Sequence, residues 1–482
     1  MTVPPDEHAA RRRYLTTCLL YWLPLGLATA PLVLLLTARG LPLGTVAGLF
    51  AAHSLTTAAL ELPTGGLSDV LGRRPVLAAA GLVGVAAFTL LALGDSPALL
   101  FPGMVLLGAS RALASGPAEA WYVDAVHART GADGDLRPGL ARGSATGSVA
   151  LAVGTLVGGA VPWLLSGDLG DRLTLATGGL VLPLAVPVLL GAVVAAVFAG
   201  YVLAALAEPP RPPATLRTVV ADVPTTIATG LRLGRRNAVV RRVVLTAAAT
   251  GAGLAVVELL TPGRAADLTG TVESGAVLVG GLACAGFLCS ALGARIAPRA
   301  AERFGDARAV PVGLVLCATG LLLLAVTANT AGPAAAASAA IGYGLAYLGL
   351  GTAGPSQGAL LHRAVTADAR ATALSVQSLA LQLVGALAGL ALGVLPAGPP
   401  RWLLGVAALT LAVLLWLRPP ADGRASSDAA DGGTVDDAEA GSDAADGAGA
   451  GSDAADGAGA DARGTKSLRR GRQSQLRRLK TR

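Results

Sequence analysis

The chain has 482 residues, of which 53% are hydrophobic and only 14% charged, with a mean hydropathy of +0.63. Soluble domains carry roughly 25% charged residues, so this balance excludes an ordinary water-soluble module and defines an integral membrane protein. The net charge of +7 gives no reason to expect a nucleic-acid partner, because nine of the 37 Lys and Arg residues fall in the last 20 positions.

A hydrocarbon core about 30 Å thick takes about 20 apolar residues per helix. Apolar runs of that kind, bounded by charge, Gly or Pro, cover 14–37, 45–67, 76–93, 98–122, 143–165 and 183–206, then 243–261, 274–293, 309–327, 334–358, 371–395 and 401–418. The pattern predicts an all-α membrane protein of twelve transmembrane helices in two sets of six. Its expected parts are a short N-terminus (1–13), a first six-helix bundle (14–206), a connection (207–242), a second bundle (243–418) and a tail (419–482).

Arg11, Arg12 and Arg13 before the first helix resemble the basic start of a signal peptide. Cleavage is not expected, since the apolar run is long and eleven more spans follow. With the N-terminus inside, the inner segments up to residue 417 hold 21 arginines against four outside, Arg39, Arg172, Arg264 and Arg401. The positive-inside rule therefore places both termini in the cytoplasm, in a multi-pass protein expected in the plasma membrane. Tyr14, Trp121, Tyr122, Trp163, Tyr201, Trp402 and Trp416 fall near predicted helix ends, as an interfacial aromatic belt would.

The 207–242 connection carries seven arginines after a Pro-rich start. It reads either as a basic amphipathic stretch on the membrane surface or as a solvated linker. The tail repeats GSDAADGAGA at 441–450 and 451–460 before a basic end, a composition too polar to bury a core. The four cysteines, Cys18, Cys284, Cys289 and Cys317, lie inside apolar runs and read as reduced packing residues.

Between the second and third spans stands GGLSDVLGRRPVL, residues 65–77, a charged cluster in a nearly uncharged setting. Asp69 and Arg73 are four apart, the spacing that pairs side chains on a helix, and Gly65 and Gly72 permit close backbone approach. Gly65, Leu67, Asp69, Gly72, Arg73 and Arg74 resemble, at the right spacing, the loop signature of the major facilitator superfamily, a resemblance that extends over residues 14–418. It implies two pseudo-symmetric six-helix bundles and alternating access, with a charge latch on the inner face. In that latch Asp69 faces the N-terminus of the eleventh helix, and Asp124, or secondarily Glu119, supplies the partner on the fourth. ERFGDAR at 302–308 is a worn second copy with Asp306 where the first has Arg73, which suggests that the first copy dominates. Gly154, Thr155, Gly158 and Gly159 resemble the helix-five glycine set of antiporters, without its proline.

An ionisable group at mid-bilayer costs about 2.5–3.5 kcal/mol on insertion scales. Glu61, Arg111 and Glu258 lie within predicted helices and are the candidates for proton or substrate handling. His53 reads as a packed polar residue. Tyr21, Trp22, Tyr343 and Tyr347 lie at depth on helices that line the cavity in the family, where aromatic walls suit apolar or cationic organic compounds, though core packing serves equally well. No phosphate loop, HExxH or cysteine–histidine metal set occurs. The expectation is thus a non-enzymatic, proton-coupled transporter exporting small organic molecules as a monomer, without metal or other cofactor. A proton-coupled importer of the same fold and a non-transporting membrane scaffold or sensor are the alternatives.

Overall fold

The computed structural model describes residues 7–130, 135–208 and 232–417, apart from the side chains of Asp69 and a few others. Most of the expected 207–242 connection and all of the 419–482 tail lie outside the described residues. Among the described residues every regular element is a helix, and twelve spans are long and apolar enough to cross a membrane.

In chain order these are α1 (Glu7–Thr29, continued by Leu32–Ala38), α2 (Leu43–Leu71), α3 (Arg73–Leu93), α4 (Pro97–Ala114, continued by Pro117–Thr130), α5 (Arg137–Leu164) and α6 (Val186–Ala205). The second set comprises α7 (Ala238–Thr269), α8 (Val272–Phe304), α9 (Asp306–Val326), α10 (Pro333–Ala364), α11 (Ala367–Val394) and α12 (Pro399–Leu417). A short helix, Asp168–Ala176, lies between α5 and α6.

Several helices run further than their apolar cores. α7 starts at Ala238, inside the expected connection, because the Asn237 carboxamide oxygen accepts the amides of Val239 (2.9 Å) and Val240 (3.2 Å), which satisfies two orphan donors of the first turn. The loop expected around GGLSDVLGRRP is absent. α2 passes into α3 through Gly72 alone, at φ +108°, and α8 passes into α9 through Gly305 alone, at φ +79°. Both positions require the left-handed backbone that glycine adopts without penalty.

α1 lies in close backbone contact with α5. A Cβ at Gly139, Gly143 or Gly147 would come within 3 Å of Tyr122, Tyr14 or Trp22 respectively, and one at Gly154 or Gly158 would meet the Leu23 or Leu27 carbonyl oxygen. The first three glycines, four residues apart, thus form a groove on one face that takes aromatic rings, and the last two let backbones touch. This groove corrects the aromatic-belt reading. Tyr14, Trp121 and Tyr122 are 1% exposed, with Tyr14 and Tyr122 stacked at 4.8 Å, and Trp402 and Trp416 are buried too. Trp163 remains on the outside at 52% exposure. α9 and α10 make the same kind of approach through Gly320, Gly342 and Gly349.

At the end opposite Arg73, Arg39 donates to the carbonyl oxygens of Leu91 (3.2 Å), Ala92 and Gly94, which close α3, and to Leu180 O (3.3 Å). Arg264 does the same for α9 through Thr327 O (2.7 Å) and Thr330 O. These are helix-end carbonyls without intrahelical partners, and each half uses one arginine to satisfy them. Hydrogen bonds to a charged group contribute about 1.5–3 kcal/mol. Arg39→Leu is expected to lower the thermal midpoint of the purified protein by several degrees, while Arg172→Leu, at an exposed position, leaves it unchanged.

Candidate gating cluster and central cavity

At the arginine-rich end, Arg73 opens α3 and forms an ion pair with Asp124 of α4, and its guanidinium also donates to Ala120 O. The side chains are 16% and 35% exposed. An arginine in the first turn of a helix meets the positive end of the helix dipole, and here two stand together. Glu208, just past α6, offsets this: one carboxylate oxygen accepts the Arg73 amide (2.9 Å) and the other the Arg74 amide (3.3 Å). Trp121 fixes the same exit by donating its indole N–H to Ala207 O at 2.7 Å, and Arg74 donates to Leu203 O.

Gly72 interrupts the helix between Asp69 and Arg73, and among the described residues the carboxylate that Arg73 meets is Asp124. The Asp69 side chain is outside the described residues, and Gly65 contributes its place in the α2 backbone. Glu119 is exposed on the second piece of α4, within electrostatic reach of Tyr14 and Cys18. Glu208 was missed in the sequence because it stands 135 positions from its partner.

The second copy is less worn than its sequence suggests. Asp306 opens α9 as Arg73 opens α3, and it pairs with Arg363 in the last turn of α10, as Arg73 pairs with Asp124 on α4. The polarity is inverted. An aspartate at a helix start and an arginine at a helix end both agree with the dipole, so this copy needs no counterpart of Glu208.

Midway along the spans, Arg111 lies half-buried in the last turn of the first piece of α4, which Ser115 and Gly116 (φ +92°) terminate. The negative end of that helix piece favours a cation, which is a physical reason for a mid-span arginine. It lines a cleft of about 340 Å³ with Tyr21, Leu25, Phe88, Ser110 and Phe198. A second cleft of about 220 Å³, in the other half, is lined by Val257, Cys317, Ala346 and Tyr347. Tyr343 and Tyr347 stack at 4.8 Å, hydroxyls 3.4 Å apart, over Gly286. Trp22 commits its ring to Gly147 of α5, and Tyr21 lies against it edge-on at 5.2 Å.

Glu258 is exposed at mid-span on α7, yet it lies within electrostatic reach of Arg111, Tyr343 and Tyr347, so it faces the interior between the halves. Glu61 of α2 accepts a hydrogen bond from Ser378 of α11 at 2.8 Å and so ties one half to the other. The Nδ1 of His53 is buried without a hydrogen-bond partner among the described residues. Toward the end opposite Arg73 the halves touch backbone to backbone, Gly44 against Gly393 and Gly159 against Ala276 and Gly280. All four cysteines are free, and among the described residues no group of His, Cys, Asp and Glu could hold a metal ion.

Two helical bundles that touch toward the end opposite Arg73, hold ionisable groups at mid-span and each pair a charge at the start of their third helix with one on their fourth form a transporter architecture. A sequence model of the Major Facilitator Superfamily matches residues 15–389, and the chain belongs to that family. In fold it is similar to the nucleoside transporter NupG (TM-score 0.62, 14% identity, covering 84% of this chain and 97% of that one). It is also similar to a bacterial homologue of the human lysosomal transporter Spinster in an inward-facing, occupied conformation (0.64, 15%, 86% and 97%) and to a D-xylose–proton symporter (0.63, 16%, 86% and 98%). At these identities the likeness is one of fold alone. No curated protein matches the chain.

Proposed function

We propose that this transporter moves small organic molecules outward across the plasma membrane, by alternating access coupled to the proton gradient. The observation that carries the reading is Glu258: among the described residues it is a carboxyl without hydrogen bond or ion pair, in the interior between two halves that touch toward the end opposite Arg73. Such a group has a high cost unless it works, and a carboxyl that exchanges a proton for a substrate couples the two fluxes. Glu61, hydrogen-bonded across the halves, is the second carboxyl available for coupling. With the arginine-rich end inside, as the charge distribution argues, the backbone contacts between the halves described above lie on the outer side. The glycine set of α5 supports the export direction. The working unit in this reading is the monomer in its bilayer, with protons as the coupling ion and no resident cofactor.

The test is flux in proteoliposomes and accumulation in whole cells across a chemically diverse panel, with and without an uncoupler. Transport is expected to follow an imposed pH gradient or potential, each charge moved gaining about 2.3 kcal/mol per 100 mV. Flux that survives collapse of both and requires ATP overturns the proposal, and accumulation that rises with the protein present replaces export by import.

A further inference from the structure

Arg111 and Glu258 carry opposite charges, come from opposite halves, and among the described residues neither has a hydrogen bond or ion pair. Arg111 follows the α4 start at Pro97 by 14 residues, about 21 Å at 1.5 Å per residue, and Glu258 precedes the α7 end at Thr269 by 11, about 17 Å. Measured from the same end, the two groups therefore lie within about one helical turn of each other in depth. Tyr343 and Tyr347, 10 and 14 residues into α10, are at the same level.

Arg111 also sits where a helix is interrupted, and Glu258 sits one turn before a proline inside the continuous α7. α4 stops just past Arg111, and Pro262 of α7 has no amide to offer the carbonyl of Glu258, four residues earlier. Interrupted helices at mid-membrane are where backbone and side chains open toward a shared interior. Arg111 and Glu258, and Glu258 and both tyrosines, lie within electrostatic reach of one another across the two halves.

We infer that the interior between the halves takes a zwitterionic organic solute, its carboxylate on Arg111, its ammonium on Glu258 and its apolar or aromatic body against Tyr347. A guanidinium presents a planar fork that matches a carboxylate, and a carboxylate near a tyrosine ring matches an ammonium group. A solute with only one charge leaves the other protein charge unpaired in a low-dielectric interior, a cost that sets selectivity. Because the two charges come from different halves, a zwitterion also bridges the bodies that must move together. The inference rests on the transport reading and names its substrate class.

The experiment uses the purified full chain in nanodiscs and three matched probe sets: L-leucine, L-phenylalanine and L-phenylalanyl-L-alanine, each as the zwitterion, the N-acetyl anion and the methyl-ester cation. Binding by calorimetry is expected to favour one zwitterion at least tenfold over both of its singly charged forms. Arg111→Met should reduce that zwitterion to the affinity of its ester, and Glu258→Gln to that of its N-acetyl form. Arg111→Lys and Glu258→Asp should restore part of the preference, which separates a lost charge from a lost fold. Equal or tighter binding of a singly charged form, no binding of any zwitterion, or a preference unchanged in both neutral variants overturns the inference. If singly charged probes bind and are transported while zwitterions are not, the inference fails and the transport reading stands. If the diverse panel shows no flux either, both fail.

Discussion

Asp124→Asn is expected to lower both the thermal midpoint and the flux of the purified protein while leaving membrane insertion intact. The substitution leaves the Arg73 guanidinium without its carboxylate, in a place only 16% exposed. Exposed pairs contribute about 0–1 kcal/mol and breaking a buried one costs about 3–5, so this half-buried pair should cost about 1–3 kcal/mol. If that cost falls on one conformation, it is a five- to 150-fold shift between states.

The charge swap separates electrostatics from shape. Arg73→Asp with Asp124→Arg converts the first half to the polarity that Asp306 and Arg363 already use, with an aspartate on the α3 dipole. It should recover much of the loss, and more once Glu208→Gln removes the carboxylate that would then oppose Asp at position 73. The opposite swap, Asp306→Arg with Arg363→Asp, places a cation at the start of α9 with no Glu208 to compensate, and should recover little. Thermal midpoints of the single, double and triple variants measure this directly; equal recovery in both halves would contradict it.

Gly158→Val and Gly159→Val, one residue apart, should fail in different ways. A Cβ at position 158 meets Leu27 of α1, inside the first half, whereas one at 159 meets Ala276 of α8, across the halves. The helices around Gly158 cannot separate without losing the bundle, so Gly158→Val should give low yield and aggregation on size-exclusion chromatography, overpacking typically costing about 1–3 kcal/mol. The halves around Gly159 are the bodies that move, so Gly159→Val should fold, run as a single peak, and open the end opposite Arg73, raising reagent labelling of a cysteine placed there. Identical behaviour of the two variants would contradict this division.

Much of this architecture is legible in the sequence because lipid imposes length and polarity on every span. The twelve helices and their paired sixes follow from composition and spacing. What escaped were contacts that depend on the third dimension. Glu208 reaches Arg73 only because the exit of α6 folds back over the start of α3. Tyr14 and Tyr122 read as lipid-facing by position along their helices, yet α5 offers glycines that admit them. The signal was present, since Gly139, Gly143 and Gly147 repeat every four residues, and a repeat of that kind announces a groove for a neighbouring helix. Asp306 resembles a degraded Arg73 in the sequence because the charge that inverts with it, Arg363, stands 57 positions away.

Alternating access between the two halves is tested most directly by distances measured at both ends in one protein. Spin labels on a cysteine-free background at positions 42 and 394 report the end where Gly44 meets Gly393, and labels at 142 and 302 report the ends of α5 and α8 on the arginine-rich side. On acidification, or on addition of a compound shown to be transported, the two distances should change in opposite directions, one lengthening as the other shortens. Distances that stay fixed, or that lengthen and shorten together under conditions where flux is measured, would contradict it.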